Sequence, residues 1–234
     1  MAATVAECEL NQAAWNCAVA LAVGGTVWED QGLHWAWQPH NGHLMLNFPR
    51  SVDAAAAQRG VEFARAQQAQ VVGAWLSRDT DAAPLEAVGF ERGWEPWWMA
   101  ARLEAIAEPD DARVQLSGDV PEYGPHGQRM LSLATSDPRR AWHAVARVDG
   151  QFAGRAWSLP VGDVAGVYDM DVWPQFQRSG LGRGLLRAVC AGARTTGATR
   201  AVLNATPDGE RLYSAEGFVR VGAGVTYWHH LGRG

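Results

Sequence analysis

The stretch "QFQRSGLGRGLL", residues 175–186, places Gly180, Gly182 and Gly184 within five positions at the start of an apolar, helix-like run. Glycine inside a helix costs about 1 kcal/mol against alanine. Three of them at one helix start imply that something must approach the backbone there. A glycine-rich turn that leaves a strand and feeds a helix exposes unpaired N–H groups at the positive end of a helix dipole, which is an anion site. A Cβ at Gly180 or Gly182 would hold phosphate oxygens away from those donors. The spacing excludes two common phosphate loops. A Walker loop requires Gly-Lys-Ser/Thr, and the chain contains no lysine. The dinucleotide fingerprint requires a glycine on the first tight βα turn and an acidic residue about 20 positions later.

Working outward, "WHAVARVDG" and "QFAGRAWSLP" alternate as strands and are joined by Asp149-Gly150, a strong hairpin signal. "AGVYDMDVWP" is a strand closed by Pro174, and the glycine loop then opens a helix over residues 181–195. "TRAVLNAT" reads as a strand, "DGERLYSAEG" as a short helix ending at Gly217, and "VTYWHHL" as the strand that completes the sheet. The order β-β-β-α-β-α-β predicts a mixed α/β (α+β) fold, with a mostly antiparallel sheet and helices packed on it.

The first half carries the same succession. "PLEAVGFERGWEPWWMAARL" follows the logic of "LYSAEGFVRVGAGVTYWHHL", and 128 residues separate Gly89-Phe90 from Gly217-Phe218. Upstream, "AQVVGAWLS" matches "ATRAVLNAT", "VDAAAAQRGVEFARAQQ" takes the place of the helix after the glycines, and "HLMLNFPR" stands for "YDMDVWPQ". Four elements in one order imply an internal repeat of domain size. The acidic, Pro-containing segment 107–112 is the expected linker, giving domains 1–107 and 108–234.

Composition narrows the function. The chain has 234 residues, 47% of them apolar, and a net charge of -5, which argues against a broad basic surface for nucleic acid or an anionic membrane. The absence of lysine removes Schiff-base chemistry. Cys8, Cys17 and Cys190 are odd in number and lack metal-ligand spacing, which suits a reducing, cytoplasmic setting, and no metal site is expected. Cys190 is read as a core residue. The run 13–25 follows Glu7 and Glu9 rather than basic residues, so it reads as a buried helix and not as a secretory leader or a membrane span.

With the loop and strands in place, the chain resembles the GNAT superfamily of acyl-coenzyme A dependent N-acyltransferases. The signature Gln/Arg-x-x-Gly-x-Gly/Ala is matched by Gln177, Gly180 and Gly182, and "DVWP" is similar to the Val-x-Pro that ends the family's fourth strand. "LNATPDGERLYSAEGF" resembles the later block, with an Asn on the fifth strand and then Tyr and Gly-Phe. The resemblance covers residues 112–231 and implies a GNAT fold whose fourth and fifth strands splay apart.

It also implies acetyl-CoA or another acyl-CoA as cofactor. Backbone groups of Gln177, Arg178, Ser179, Gly180, Leu181, Gly182 and Arg183 would hold its pyrophosphate, Met170, Asp171 and Val172 would pair with its pantetheine arm, and Asn204 would bond the cofactor or the incoming amine. Tyr213 matches the tyrosine that serves as general acid toward the coenzyme sulfur. Asp169 and Asp171 alternate along one strand, so both are expected on one face, as candidates for amine binding and deprotonation. A structural pairing with Arg155 or Arg147 is the alternative. Glu122 and Tyr123 are substrate-side candidates by position, while His126 and His143 read as structural or solvated. The first half has "NFPRSVDA" in place of the glycines, Ala74 in place of Asn204 and Leu85 in place of Tyr213, so it reads as a degenerate GNAT-like domain. Its tryptophans, among them Trp35, Trp37, Trp94, Trp97 and Trp98, are candidates for a substrate cleft or for core.

The expected partner is a small-molecule amine, acylated by direct attack without a covalent enzyme intermediate, as in metabolite or antibiotic modification. Two alternatives stand beside it: a protein or peptide N-acetyltransferase, and an acyl-coenzyme A binding module without turnover. The resemblance leaves room for a homodimer.

Overall fold

The computed structural model describes residues 2–232. The first helix, α1 (Val5–Ala22), begins at a reciprocal cap: the Thr4 N–H donates to Glu7 Oε2 at 2.8 Å and the Glu7 N–H to Thr4 Oγ1 at 3.3 Å. No helix among the described residues is long and apolar enough to cross a membrane.

Two runs of elements follow in one order. The first is β1 (Thr26–Asp30), β2 (Leu33–Gln38), β3 (His43–Asn47), α2 (Ala54–Ala66), β4 (Val71–Leu76), α3 (Ala83–Ala87), β5 (Glu91–Arg92) and β6 (Trp97–Arg102). After β7 (Val114–Leu116), α4 (Pro125–Met130) and α5 (Ser132–Thr135), the order is reproduced by β8 (Trp142–Val148), β9 (Gln151–Val161), β10 (Val164–Val172), α6 (Leu181–Arg194), β11 (Arg200–Ala205), α7 (Pro207–Ala215), β12 (Val219–Ala223) and β13 (Val225–His230). The likeness reaches single hydrogen bonds. The Phe90 N–H donates to Leu85 C=O at 3.1 Å and the Phe218 N–H to Tyr213 C=O at 3.0 Å. Gly89 and Gly217 stand before them at φ +92° and +87°, a helix-ending conformation that suits glycine.

The strand orders are β1-β2-β3-β4-β13-β5 and β12-β6-β11-β10-β9-β8-β7. The expectation that "VTYWHHL" completes the sheet of its own half is thereby corrected. β13 runs antiparallel to β4, from Val225 opposite Leu76 to His230 opposite Val71. β6, from the first half, fills the matching slot beside β11, from Arg102 opposite Arg200 to Trp97 opposite Ala205. Each half of the sequence therefore places its last strand in the other half's sheet. The compact units are Met1–Asn11 with Trp97–Gly222, called here the glycine-loop unit, and Gln12–Pro96 with Ala223–Gly234, the companion unit. They do not follow a single cut between residues 107 and 108.

Within the glycine-loop unit, α6 lies across β7 to β10 and buries Leu181, Leu185, Leu186, Val189, Cys190 and Ala193. This is one helical face at 3.6-residue spacing, and each leucine contributes about 1.5–3 kcal/mol of burial. Cys190 is core, as read. The β8–β9 hairpin turns at Asp149 and Gly150, with φ +49° and +78°, the signs a two-residue hairpin turn requires. In the companion unit α2 covers a core containing Trp35, Trp37, Leu44 and Leu46. A Cβ on Gly60 would meet the Trp35 ring at 2.4 Å, so that helix carries glycine for packing. Trp98 is buried as well, whereas Trp94 is exposed.

The two units differ where β3 meets β4 and where β10 meets β11. β3 and β4 are parallel neighbours along their whole shared length, from His43–Val71 to Asn47–Trp75, and the Phe48 N–H extends the ladder to Trp75 C=O at 2.8 Å. β10 and β11 pair only at Val164–Arg200, Ala165–Ala201 and Gly166–Val202. Beyond Gly166 they diverge, as the resemblance implies.

Candidate active site

Where β10 has left β11, the chain passes through a 3₁₀ turn at Pro174–Phe176 into the glycine loop. Arg178 (φ +62°) and Gly180 (φ +88°) are both left-handed. Such reversals turn successive N–H groups toward one side. Helix geometry leaves the N–H groups of Leu181, Gly182 and Arg183 without partners inside α6, and the Gly184 N–H makes a first-turn bond to Gly180 C=O at 3.2 Å.

The three glycines have three different reasons. Gly180 is required by its φ. A Cβ on Gly182 would stand 3.2 Å from Leu212 Cδ2, narrowing the space beside the helix N-terminus. Gly184 is a packing glycine, since a Cβ there would meet Val114 Cγ2 at 3.0 Å and Asp111 Cβ at 3.2 Å.

Side chains brace the loop. Gln177 Nε2 donates to Val172 C=O at 3.0 Å, Ser179 Oγ to Phe176 C=O at 2.5 Å, and Arg113 Nη2 to Ser179 C=O at 3.0 Å. Asp111 holds Arg113 in place with bonds of 2.7 and 2.9 Å. The opposite wall is α7. It starts at Thr206, whose Oγ1 accepts the Gly209 N–H at 3.3 Å, and is tied to α6 at its far end by the buried Glu216. Glu216 accepts from Arg187 at 2.7 and 3.1 Å and from Arg183 at 3.0 Å. Sequence reading missed Glu216, Arg187 and Arg113. The only available signal was an acid just before Gly217, too common to single out.

Between these walls lies a groove of about 960 Å³. It is bordered by Met170, Asp171 and Val172 from β10, by Gln177, Arg178, Gly180, Leu181, Gly182 and Arg183 from the loop, and by residues of α7 as far as Tyr213. Ser179 and Asn204 are not among its lining residues; Asn204 is half-buried on β11 in register with Trp98. An open strand edge, a glycine-bearing wall that a Cβ would crowd and a cluster of outward N–H groups fit an elongated ligand with an anionic head, and acyl-coenzyme A has that chemistry.

Tyr213 is half-buried and its ring centroid lies 6.0 Å from that of Phe218. Burial pushes its hydroxyl up to about 12, so it keeps its proton at neutral pH. The two aspartates are brought together differently from the alternation expected. β10 bulges between Tyr168, opposite Trp157, and Asp171, opposite Arg155, and Asp169 takes the left-handed φ of +45°. The bulge, not simple alternation, sets their directions. Asp169 is open to solvent at its surface but densely surrounded. Burial raises its carboxyl above the usual range, Arg155 opposes the rise and the charge of Asp171 adds to it.

Glu122 and Tyr123 do not border the groove. Glu122 forms a two-pronged ion pair with Arg147, which holds its carboxyl down at about 2. Arg147 is thus engaged away from the aspartates. Tyr123 packs its ring 5.6 Å from those of Phe152 and His143. His143 Nδ1 lies 2.9 Å from Ser117 C=O, which only accepts, so Nδ1 carries the proton and Nε2 receives the Tyr123 hydroxyl at 2.9 Å.

Burial, with Arg155 adding, lowers His143 from 6.5 to about 4 against the bond to Ser117. Its stabilising contribution is complete above pH 6.5 and is lost as pH falls toward 4, by up to about 3 kcal/mol. His143→Gln should flatten the fall of the denaturation midpoint across that window. An unchanged slope would show that His143 is not the group that titrates.

Comparison with known proteins bears on the fold and the family. The family model "Acetyltransferase (GNAT) family" matches residues 94–218. No curated protein matches the sequence. Among solved structures, a GCN5-related N-acetyltransferase from Kribbella flavida superposes with a TM-score of 0.63 at 17% identity, covering 98% of this chain and 97% of that one. A GCN5-related N-acetyltransferase-like protein from Streptococcus suis has a TM-score of 0.59 at 11% identity, covering 96% and 99%. A tandem GNAT protein from the clavulanic acid biosynthesis pathway, solved without AcCoA, has a TM-score of 0.57 at 13% identity, covering 100% and 98%. At these identities the structures speak for the fold alone, while the family model spans more than half the sequence and includes the splayed strands, the glycine loop and Tyr213. The chain belongs to the GNAT acetyltransferase family, whose reaction is acyl transfer from acyl-coenzyme A.

Proposed function

We propose that the glycine-loop unit transfers an acetyl or other short acyl group from acyl-coenzyme A to the amine of a small molecule by direct attack. The observation that carries this reading is the divergence of β10 from β11 beside the glycine loop, with Tyr213 on the facing wall. Bound acyl-coenzyme A would supply an activated thioester. The N–H groups from Arg178 to Arg183 would hold its pyrophosphate, and the edge Met170–Val172 would bond its pantetheine amides as an added strand does. Tyr213 would give a proton to the sulfur as the carbon–sulfur bond breaks and the amine nitrogen bonds to the acyl carbon. Asp169 or Asp171 would take the proton that the amine releases, directly or through water.

The companion unit is the degenerate repeat in this reading. Its β3 and β4 stay paired, leaving no slit for a pantetheine arm, and Leu85 takes the place of Tyr213. A tandem GNAT relative from a biosynthetic pathway favours a metabolite as acceptor.

The test is a coenzyme A release screen across amines with several acyl donors. Thiol release with a small amine is expected; modification of protein or peptide amines alone, or cofactor binding without any release, would replace this reading by one of the alternatives. Tyr213→Phe should lower turnover by ~10²-fold or more, within the range of general acid catalysis, while nearly keeping cofactor affinity. Unchanged turnover would make Tyr213 structural.

A further inference from the structure

The arginines that the glycine-loop unit half-buries are matched, with one exception. Arg147, Arg187, Arg194 and Arg200 each hold a carboxylate. Arg155, on β9, is half-buried, and among the described residues it forms no ion pair. Its Nε is fully occluded and meets no protein acceptor, while elsewhere the guanidinium donates to the Tyr123 hydroxyl. Its guanidinium carbon lies 5.8 Å from the centroid of the Tyr123 ring and 5.9 Å from that of Trp173. Those separations are at the outer limit of cation–π attraction. Each of the other four touches a carboxylate, whereas Asp169 acts on Arg155 only through its charge and no carboxylate contacts it, and a half-buried guanidinium that lacks a contact ion pair is costly.

Its position is as informative as its missing ion pair. Arg155 stands opposite Asp171 in the β9–β10 ladder, so the two side chains share a face, and Asp171 borders the groove. The bulge displaces Asp169 from that register, and Asp169 interacts with Arg155 through its charge without bonding it. A positive and a negative group that lie close along this strand pair without forming an ion pair are complementary to a zwitterion.

We propose that Arg155 grips a carboxylate of the acceptor, so that the amine acylated here belongs to an amino acid, with Asp169 at its ammonium end. The guanidinium fork suits this task, since it meets both oxygens of a carboxylate at once. The inference rests on the transferase reading above for its meaning, yet its binding test is independent of turnover.

Calorimetry of the full chain, alone and saturated with coenzyme A, would titrate the twenty common amino acids and β-alanine, each beside its carboxamide. At least one acid should bind about tenfold or more tightly than its carboxamide, in line with a charge-assisted bidentate contact. Arg155→Gln should reduce that preference to within about twofold, and Arg155→Lys should keep part of it. Equal binding of acids and carboxamides, an unchanged preference in Arg155→Gln, or no binding of any acid would overturn the proposal. If Arg155→Gln fails to fold, the comparison of acid with carboxamide on the natural chain still decides. Failure of the transferase reading would show separately, as a missing isotherm for coenzyme A itself.

Discussion

Gly182→Glu should abolish coenzyme A binding while changing the thermal midpoint little. The backbone of Gly182 is helical rather than left-handed, so a side chain costs no φ strain, and the nearest obstacle to a Cβ is the flexible end of Leu212 at 3.2 Å. The added carboxylate would face the bound pyrophosphate within a few ångströms. Like charges at about 4 Å repel by roughly 4 kcal/mol at an intermediate effective dielectric, which corresponds to a loss of ~10³-fold in affinity. Calorimetry showing undiminished acetyl-coenzyme A binding would remove the phosphate site from this loop. The same titration on the natural chain should give one site. "NFPRSVDA" offers no glycine and a proline without an N–H, and β3 remains zipped to β4 beside it.

Removing residues 1–107 should leave a protein that aggregates or fails to unfold cooperatively. The cut takes away β6, which lies between β12 and β11, and strands β13 without β4. Six ladder positions on β11, the apolar Val202 and Leu203 among them, would become an open edge, and such edges pair with other chains. A monomeric fragment 108–234 with full activity would show that β6 is dispensable. That outcome would also restore the simple division into independent halves.

The sequence carried the elements and their repeat because local patterns determine them: Gly89-Phe90 and Gly217-Phe218 end equivalent helices, and Asp149-Gly150 makes a hairpin. It did not carry the destination of β13. Alternation in "VTYWHH" identifies a strand, but β6 and β13 are repeats of each other and either slot satisfies the same pattern. The glycine loop was legible for the same reason that it works, since left-handed backbone at a helix start has few other solutions. Asp169 was not. An aspartate at φ +45° gives no warning in the sequence, and the bulge it creates breaks the alternation from which its direction was inferred. Arg155 could be named only as one structural partner among two, because the lack of a contact ion pair is a property of three-dimensional surroundings.

The exchanged strands also impose a timetable on synthesis. β4 is made with residues 71–76, but the neighbour that completes its hydrogen bonding is β13, at residues 225–230. At roughly 5–20 residues per second, the ribosome needs about 7–30 s to cover that interval. Throughout it the companion sheet has an exposed inner edge and β5 has no partner in place. The glycine-loop sheet has no such delay for its borrowed strand, since β6 emerges before β11. The half that carries the catalytic candidates is thus provided with its foreign strand in advance, and the companion half waits for the nascent chain to deliver its own.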